Sequence, residues 1–389
     1  MSTPVRILDV VNTDHAALNF LVHRLELINR QGEFQNDLVC SHGPHLARVR
    51  LQAATATAFD IPRRLAPLGT ARLLVQLVRH LRAHPYTIVH THNSITGALG
   101  RLAARLVRIP LTIHTTHGFH FHEHMSAAAR APFVAAERWL TRWCDVLLAQ
   151  SREEFEDIRR RRLRPRFGAY HIGNGIDLRR FRSRAAAPQN PRPVVLVVGR
   201  LEPVKNHGML FRALTQLRAA IRPVVWLVGE GPCRERYEAD VAQAGLEDDV
   251  RFLGYRYDIP ALTAAADVAV LTSIKEGMPR ALMEAMAVGV PVVATDVKGT
   301  REVVCHEETG FLVPLDDAAA LAARLDELLR APALRARLGA RGSVYARRHF
   351  DEDRIVHRLL EIYRFALSAR ASERSCAASR PVVLEGVAG

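Results

Sequence analysis

Two carboxylates eight residues apart, Glu276 and Glu284, bracket a stretch suited to a charged, hydroxyl-rich ligand. The apolar run Val268–Leu271 reads as a buried strand and Thr272–Gly277 as the loop after it. Ala281, Leu282, Ala285, Met286 and Ala287 then fall on one face of a helix that Gly289 ends. Pro279 suits the first helical position, where its missing N–H costs nothing. Glu276 therefore belongs to the loop entering the helix, and Glu284 lies between one and two turns inside it. Such a helix start, with bare N–H groups and about half a positive charge, attracts an anion such as a diphosphate. A carboxylate one turn in accepts hydrogen bonds from sugar hydroxyls instead. On spacing alone, two solvated glutamates on a strand–helix unit read equally well.

A second group is cationic. The buried strand from Val194 ends at Gly199, with Arg200 directly after it and Lys205 six residues beyond. Arginine offers phosphate a planar fork and lysine a compact point charge, although surface cations after strands are common. A third group is the run His114–His124, with five histidines in eleven residues. Imidazole ligates transition metals. Alternation at His120, His122 and His124 puts three rings on one face of an extended segment, without the helical pairing of metalloproteases. No metal is therefore expected, and the extra histidines are expected at the surface.

The elements that must position these groups alternate. Strands are expected at Val5–Val11, Leu38–Cys40, Thr87–His90, Leu111–His114 and Cys144–Gln150, with helices at Pro67–Ala83, Ser94–Val107, Met125–Arg142 and Arg152–Arg162 between them. That alternation means an α/β protein with doubly wound parallel sheets, whose ligands bind at the carboxyl ends of strands. The expected division is an N-terminal domain over 1–181, a linker over 182–193 and a second domain over 194–350. A last helix over 351–370 and a disordered tail over 371–389 follow. The chain has 389 residues, 48% of them hydrophobic, and lacks a bilayer-length apolar run or signal-peptide pattern. Five scattered cysteines suit a reducing cytosolic setting.

The net charge of +14 is mostly arginine, concentrated at Arg159–Arg162, Arg164 and Arg166. Such a face attracts nucleic acid, anionic lipid or acidic glycans, and an arginine-rich composition explains part of it without any partner. Phe133, Trp139 and Trp143 among arginines suit either core packing or contact with lipid.

Read together, the motifs resemble glycosyltransferase family 4, retaining enzymes of the GT-B fold with two Rossmann-like domains facing across a cleft. Glu276 and Glu284 match its Glu-x7-Glu signature, with Glu-Gly-Met-Pro at 276–279 and Gly-Val-Pro-Val-Val-Ala-Thr at 289–295. Gly199-Arg200-Leu201 with Lys205 resembles the family's diphosphate motif, one residue shorter. Thr115–Phe121 resembles the segment found in capsule and exopolysaccharide enzymes. That branch also lacks the glycine pair after the first strand, as Asn12-Thr13-Asp14-His15 does here.

The resemblance implies a metal-independent hexosyltransferase without a cofactor, using a nucleotide-sugar donor, with a UDP-sugar expected over a GDP-sugar. It gives Glu276 and His117 to the donor sugar. Arg200, Lys205, Gly118, Met278 and Pro279 go to the diphosphate, and Glu284, Arg256 and Tyr255 to the ribose and base. The acceptor is expected to be a lipid-linked saccharide or oligosaccharide for surface polysaccharide, met at the anionic inner face of the cell membrane. Two other readings are a nucleotide-sugar epimerase and a nucleic-acid binder. The first needs an acid–base pair, for which only Glu123 and Asp14 offer themselves. The second lacks interleaved aromatics and any recognisable binding motif, so no nucleic acid is expected.

Overall fold

The computed structural model describes residues 3–52, 55–62, 66–121, 123, 125–182, 191–218 and 222–378. Apolar, β-branched runs such as Val194–Val198 and Val292–Thr295 have no polar face to turn to solvent, so they are covered by helices on both sides of a parallel sheet. Two such sheets form. The first holds β1 (Val5–Val10), β2 (Phe34–Ser41), β3 (Ala56–Phe59), β4 (Ile88–His92), β5 (Leu111–Thr116), β6 (Val146–Ala149) and β7 (Ala169–His171), in the order β3-β2-β1-β4-β5-β6-β7. The second holds β8 (Val194–Val198), β9 (Val224–Val228), β10 (Val250–Gly254), β11 (Val268–Leu271), β12 (Val292–Thr295) and β13 (Gly310–Val313), in the order β10-β9-β8-β11-β12-β13. Every pairing is parallel.

The two orders are the same permutation. In each, the first strand lies between its successor and the fourth strand, so the winding reverses beside β1 and again beside β8. Ligands of doubly wound sheets bind at that reversal, beyond the carboxyl ends of the strands. The loops after β1, β4, β8 and β11 are therefore the ones placed for chemistry.

The last helix, Glu352–Ala378, returns to the first sheet. Val356, Leu359, Leu360, Tyr363 and Ala366 pack with Ile7, Ile88, Ile113, Val146 and Leu148. It does not stop near residue 370, so the expected disordered tail is helical as far as Ala378. Alanines at 371, 377 and 378 favour the helix, and Arg166 Nη2 pairs with Glu373 at 2.6 Å. Residues 379–389, and 183–190 of the expected linker, lie outside the described residues. The sequence reading also passed over a short helix, Leu46–Gln52, and β3.

The domains meet at a pair of reciprocal caps. Glu302 of the second domain accepts from the backbone N–H groups of Arg152 (2.8 Å) and Glu153 (2.7 Å), at the start of the helix Arg152–Arg160. Glu153 in turn accepts from the N–H of Gly299 at 3.1 Å, and Lys298 Nζ reaches Asp157 at 2.7 Å. Carboxylates at helix starts are held by bare N–H groups and the helix dipole together.

Candidate active site

Between the domains lies a cleft of about 1010 Å³, bounded by the loops after β1, β4, β8 and β11. His117, Arg200, Lys205, Tyr255, Arg256, Glu276, Met278, Pro279 and Glu284 all line it. Gly118 does not reach its wall.

The loop after β11 is pinned before it reaches the helix. Thr272 Oγ1 donates to the Lys205 carbonyl at 2.9 Å, and the Ile274 N–H to the Val204 carbonyl at 2.9 Å. These bonds bring the short β8 loop alongside, so Lys205 Nζ meets Glu276 Oε1 at 2.5 Å. Ser273 Oγ donates to the same oxygen at 2.6 Å. The reduced spacing before Lys205 is thus accommodated by a single turn of 3-10 helix, Pro203–Lys205. Arg200 pairs with Glu202 at 2.7 Å and keeps about two-fifths of its side chain exposed to the cleft.

The helix that follows is Arg280–Val288. Pro279 is its N-cap in extended conformation, one position earlier than expected, because its carbonyl already accepts from Leu282 and Met283. No side chain caps this start, so its first-turn N–H groups face the cleft without a side-chain acceptor. Glu284 stands 3.9 Å from Arg280, and burial raises its pKa against the pull of Arg280 and Arg180.

One glycine lets the domains' loops touch, and a second lets its own domain's backbone pack behind it. A Cβ on Gly277 would sit 2.9 Å from the His117 carbonyl carbon. Gly299, at φ +82°, lies so close behind the Gly277 carbonyl that a Cβ there would overlap it.

His117 differs from the expected free contact. Its Nε2 lies 3.0 Å from His92 Nδ1, and Gln150 also hydrogen-bonds its ring. Desolvation, with His92 and Arg24 nearby, holds its pKa well below the usual imidazole range, so it is neutral. The Gly118 N–H donates to Glu154 Oε1 at 2.6 Å and is not free for a diphosphate. Arg256 is exposed and forked onto Asp258 at 2.6 and 2.8 Å. Tyr255 packs at a tilt against His45 of the first domain, with ring centroids 4.2 Å apart, and its hydroxyl accepts from Asn19 at 3.2 Å. The expected surface placement of the extra histidines fails for His114. That residue is buried, with its ring 2.9 Å from Thr91 Oγ1, because β5 runs on to Thr116 in the sheet centre. His122 and His124 lie outside the described residues.

Sequence reasoning missed Gln150 and Arg280 in the cleft wall, and Asp9, His92 and Glu154 behind it. Their one signal was position, since Asp9, His92 and Gln150 end or follow strands. Of the two carboxylates considered for an acid–base pair, Asp14 lines the cleft and Glu123 does not, and both are already engaged. Glu123 pairs with Arg301, and buried Asp14 accepts from the N–H groups of His15 and His45.

Glu154 yields a pH prediction. Burial raises its pKa to about 7, partly offset by hydrogen bonds from Gly118, Ser151, Gln150 and Thr116. The folded state therefore holds the proton more tightly than the unfolded chain. Its contribution to stability is fully present below about pH 4.5 and is lost as pH rises through about 7. Measured by denaturation, the stability of wild type relative to Glu154→Gln should fall by about 3 kcal/mol over that window. A flat difference would mean the carboxyl is solvated.

Comparison with known proteins agrees with this geometry. The model of Glycosyltransferase Family 4 matches residues 15–180, and that of Glycosyl transferases group 1 matches residues 179–344. EpsD of Bacillus subtilis, named as a glycosyltransferase, is 33% identical over 82% of this chain and 87% of its own. The UDP-Gal:alpha-D-GlcNAc-diphosphoundecaprenol alpha-1,3-galactosyltransferase of Escherichia coli is 29% identical over 73% of this chain and 77% of its own. Among solved structures, Anabaena HepE in complex with UDP-glucose superposes with a TM-score of 0.77 at 22% identity, covering 92% of this chain and 99% of that one. Sucrose-phosphate synthase from Thermosynechococcus elongatus gives 0.78 at 23%, covering 94% and 100%. Two parallel sheets wound alike, a cleft between their switch points and these matches over both halves place the chain in glycosyltransferase family 4, as a glycosyltransferase of the GT-B fold.

Proposed function

We propose that the chain moves a sugar, with retention, from a UDP-sugar to a lipid-linked saccharide during assembly of a surface polysaccharide. The observation that carries this is the convergence of Arg200, Lys205, Glu276 and the uncapped start of the helix Arg280–Val288 at one switch point. Arg200, Lys205 and the N–H groups after Met278 and Pro279 neutralise the departing diphosphate, an electrostatic stabilisation of the leaving group. Glu276 and His117 hold the donor sugar, Glu284 the ribose, and Tyr255 with Arg256 the base. Gly118 acts by letting its loop approach Gly277, since its own N–H is taken. The bond from the sugar's anomeric carbon to the phosphate oxygen breaks while the acceptor oxygen bonds to that carbon on the same face. The acceptor proton passes to the released phosphate.

The E. coli relative is named for UDP-Gal and a diphosphoundecaprenol acceptor, which supports the donor and acceptor classes. No helix among the described residues is long and apolar enough to cross a membrane. The helix Ala127–Thr141 instead supports peripheral contact with the anionic cytoplasmic face. Trp139 is half exposed and meets Trp143 at 4.0 Å, with Arg130 and Arg138 on the same helix. The test is nucleotide release from a panel of UDP- and GDP-sugars, with a lipid extract in anionic vesicles as acceptor and EDTA present. Turnover of one UDP-sugar that persists in EDTA and depends on the lipid is the expected result. Turnover of a GDP-sugar alone, or sugar isomerisation without acceptor, would overturn the reading.

A further inference from the structure

Behind the cleft a line of hydrogen bonds runs inward from His117. Its Nε2 is 3.0 Å from His92 Nδ1, and His92 Nε2 is 3.0 Å from Asp9 Oδ1. Asp9 and His92 are both buried, at the carboxyl halves of β1 and β4. Asn36 Nδ2 donates to the other oxygen of Asp9 at 2.5 Å. Asp9, His90 and His92 have the composition of a metal site. Every ring nitrogen of the two histidines is already matched, however, those of His90 by Tyr363 and Thr115 at 2.7 Å each. The arrangement is one of aligned donors and acceptors.

We propose that Asp9 and His92 are positioning residues that set which ring nitrogen of His117 carries the proton, so that His117 meets the donor sugar as a hydrogen-bond acceptor. This rests on the reading above, in which His117 faces that sugar. Burial raises the pKa of Asp9, while His90, the Asn36 amide and the Arg24 guanidinium favour its carboxylate. That carboxylate only accepts, so His92 carries its proton on Nε2. Its Nδ1 is then a lone pair and must be met by N–H from His117 Nε2. The remaining nitrogen of His117, Nδ1, is left as an acceptor for a sugar hydroxyl in the loaded site. A ring nitrogen's state is set by the bond the other makes, and a buried carboxylate behind imidazole is a device that fixes it. Burial and the nearby Arg24 guanidinium disfavour a second proton on His92 or His117, which keeps both rings neutral and the sequence unambiguous.

Asp9→Asn tests this without changing shape. The carboxamide keeps its oxygen toward Asn36 and turns its NH2 toward His92 Nε2. The proton on His92 must then move to Nδ1, and that on His117 to the nitrogen away from His92. Nitrogen-15 spectra of histidine-labelled protein should show His117 protonated on Nε2 in wild type and on Nδ1 in the variant. Transfer should slow about 10- to 100-fold in kcat, with the KM for the nucleotide sugar little changed, because the phosphate contacts are intact. The double variant Asp9→Asn/His117→Ala should be no slower than His117→Ala alone. An unchanged His117 tautomer, or losses that multiply in full, would overturn the relay. His92→Gln serves if Asp9→Asn does not fold. It keeps a donor to Asp9 but leaves His117 Nε2 unmatched, and should give mixed tautomers with the same non-additivity. If His117→Ala alone leaves transfer intact, the sugar contact fails, while the tautomer signals still decide the relay.

Discussion

Replacing Glu352 with alanine should destabilise the protein by about 3–5 kcal/mol, read as a shift in the denaturation midpoint, because it strands the buried Arg24 guanidinium and takes a partner from the partly buried Arg280. Glu352 opens the returning helix and is 2% exposed. Its Oε1 meets Arg24 Nε of the first domain at 2.7 Å, and its Oε2 lies 3.6 Å from Arg280 Nη1 of the second. Burial raises its pKa, but Arg24 and Arg280 outweigh that and hold it below the ordinary glutamate range. Both terminal nitrogens of Arg24 are buried with no hydrogen-bond partner among the described residues, which leaves Asp9 as a nearby carboxyl without a direct bond to it. The loss should extend to donor affinity, since Arg280 also stands beside Glu284. A cost below about 1 kcal/mol, the range of exposed pairs, would mean that solvent already reaches the cluster.

Lys205→Ala should slow transfer about 10- to 100-fold, the loss of one charge-assisted phosphate contact of roughly 1.5–3 kcal/mol. In the empty cleft Lys205 is bound to Glu276, so the variant also frees a carboxylate beside the phosphate position. Inhibition by the nucleoside diphosphate alone separates the roles of the pair. Lys205→Ala should weaken it, whereas Glu276→Gln should spare it and still depress transfer, because only the sugar meets Glu276. Equal inhibition in wild type and Lys205→Ala would place the lysine outside the phosphate site.

The doubly wound fold was legible because buried parallel strands leave long apolar runs and their helices keep a 3.6-residue period. Ser94–Val107 and Pro67–Ala83 were read with their observed bounds. The loops after β8 and β11 were legible because chemistry sits where strands end. What stayed hidden depends on partners distant in sequence. Nothing local to Lys205 says that Glu276 is its neighbour, or to His117 that His92 and Asp9 stand behind it. The Gly118 N–H looked free because its acceptor, Glu154, is supplied by a helix beyond the next strand. Glu154, three residues after Ser151, has the spacing of a capping box, and its backbone N–H does donate to Ser151 Oγ at 3.0 Å. Its carboxylate turns instead to the loop holding Gly118. The C-terminal helix was cut short because small polar residues suggest disorder until a partner such as Arg166 is known.

The reciprocal caps between Glu302 and the helix Arg152–Arg160, and between Glu153 and Gly299, limit how the two halves can move. A carboxylate on two adjacent N–H groups has one register, and sliding by a residue would break both bonds without offering another pair. Shear between the domains is therefore closed off, and admission of substrate must proceed by hinge rotation about this edge. The chain itself crosses between domains beside this edge, where Ile176 bridges Asp351 and Arg152 lies near His349, so the pivot sits next to the caps.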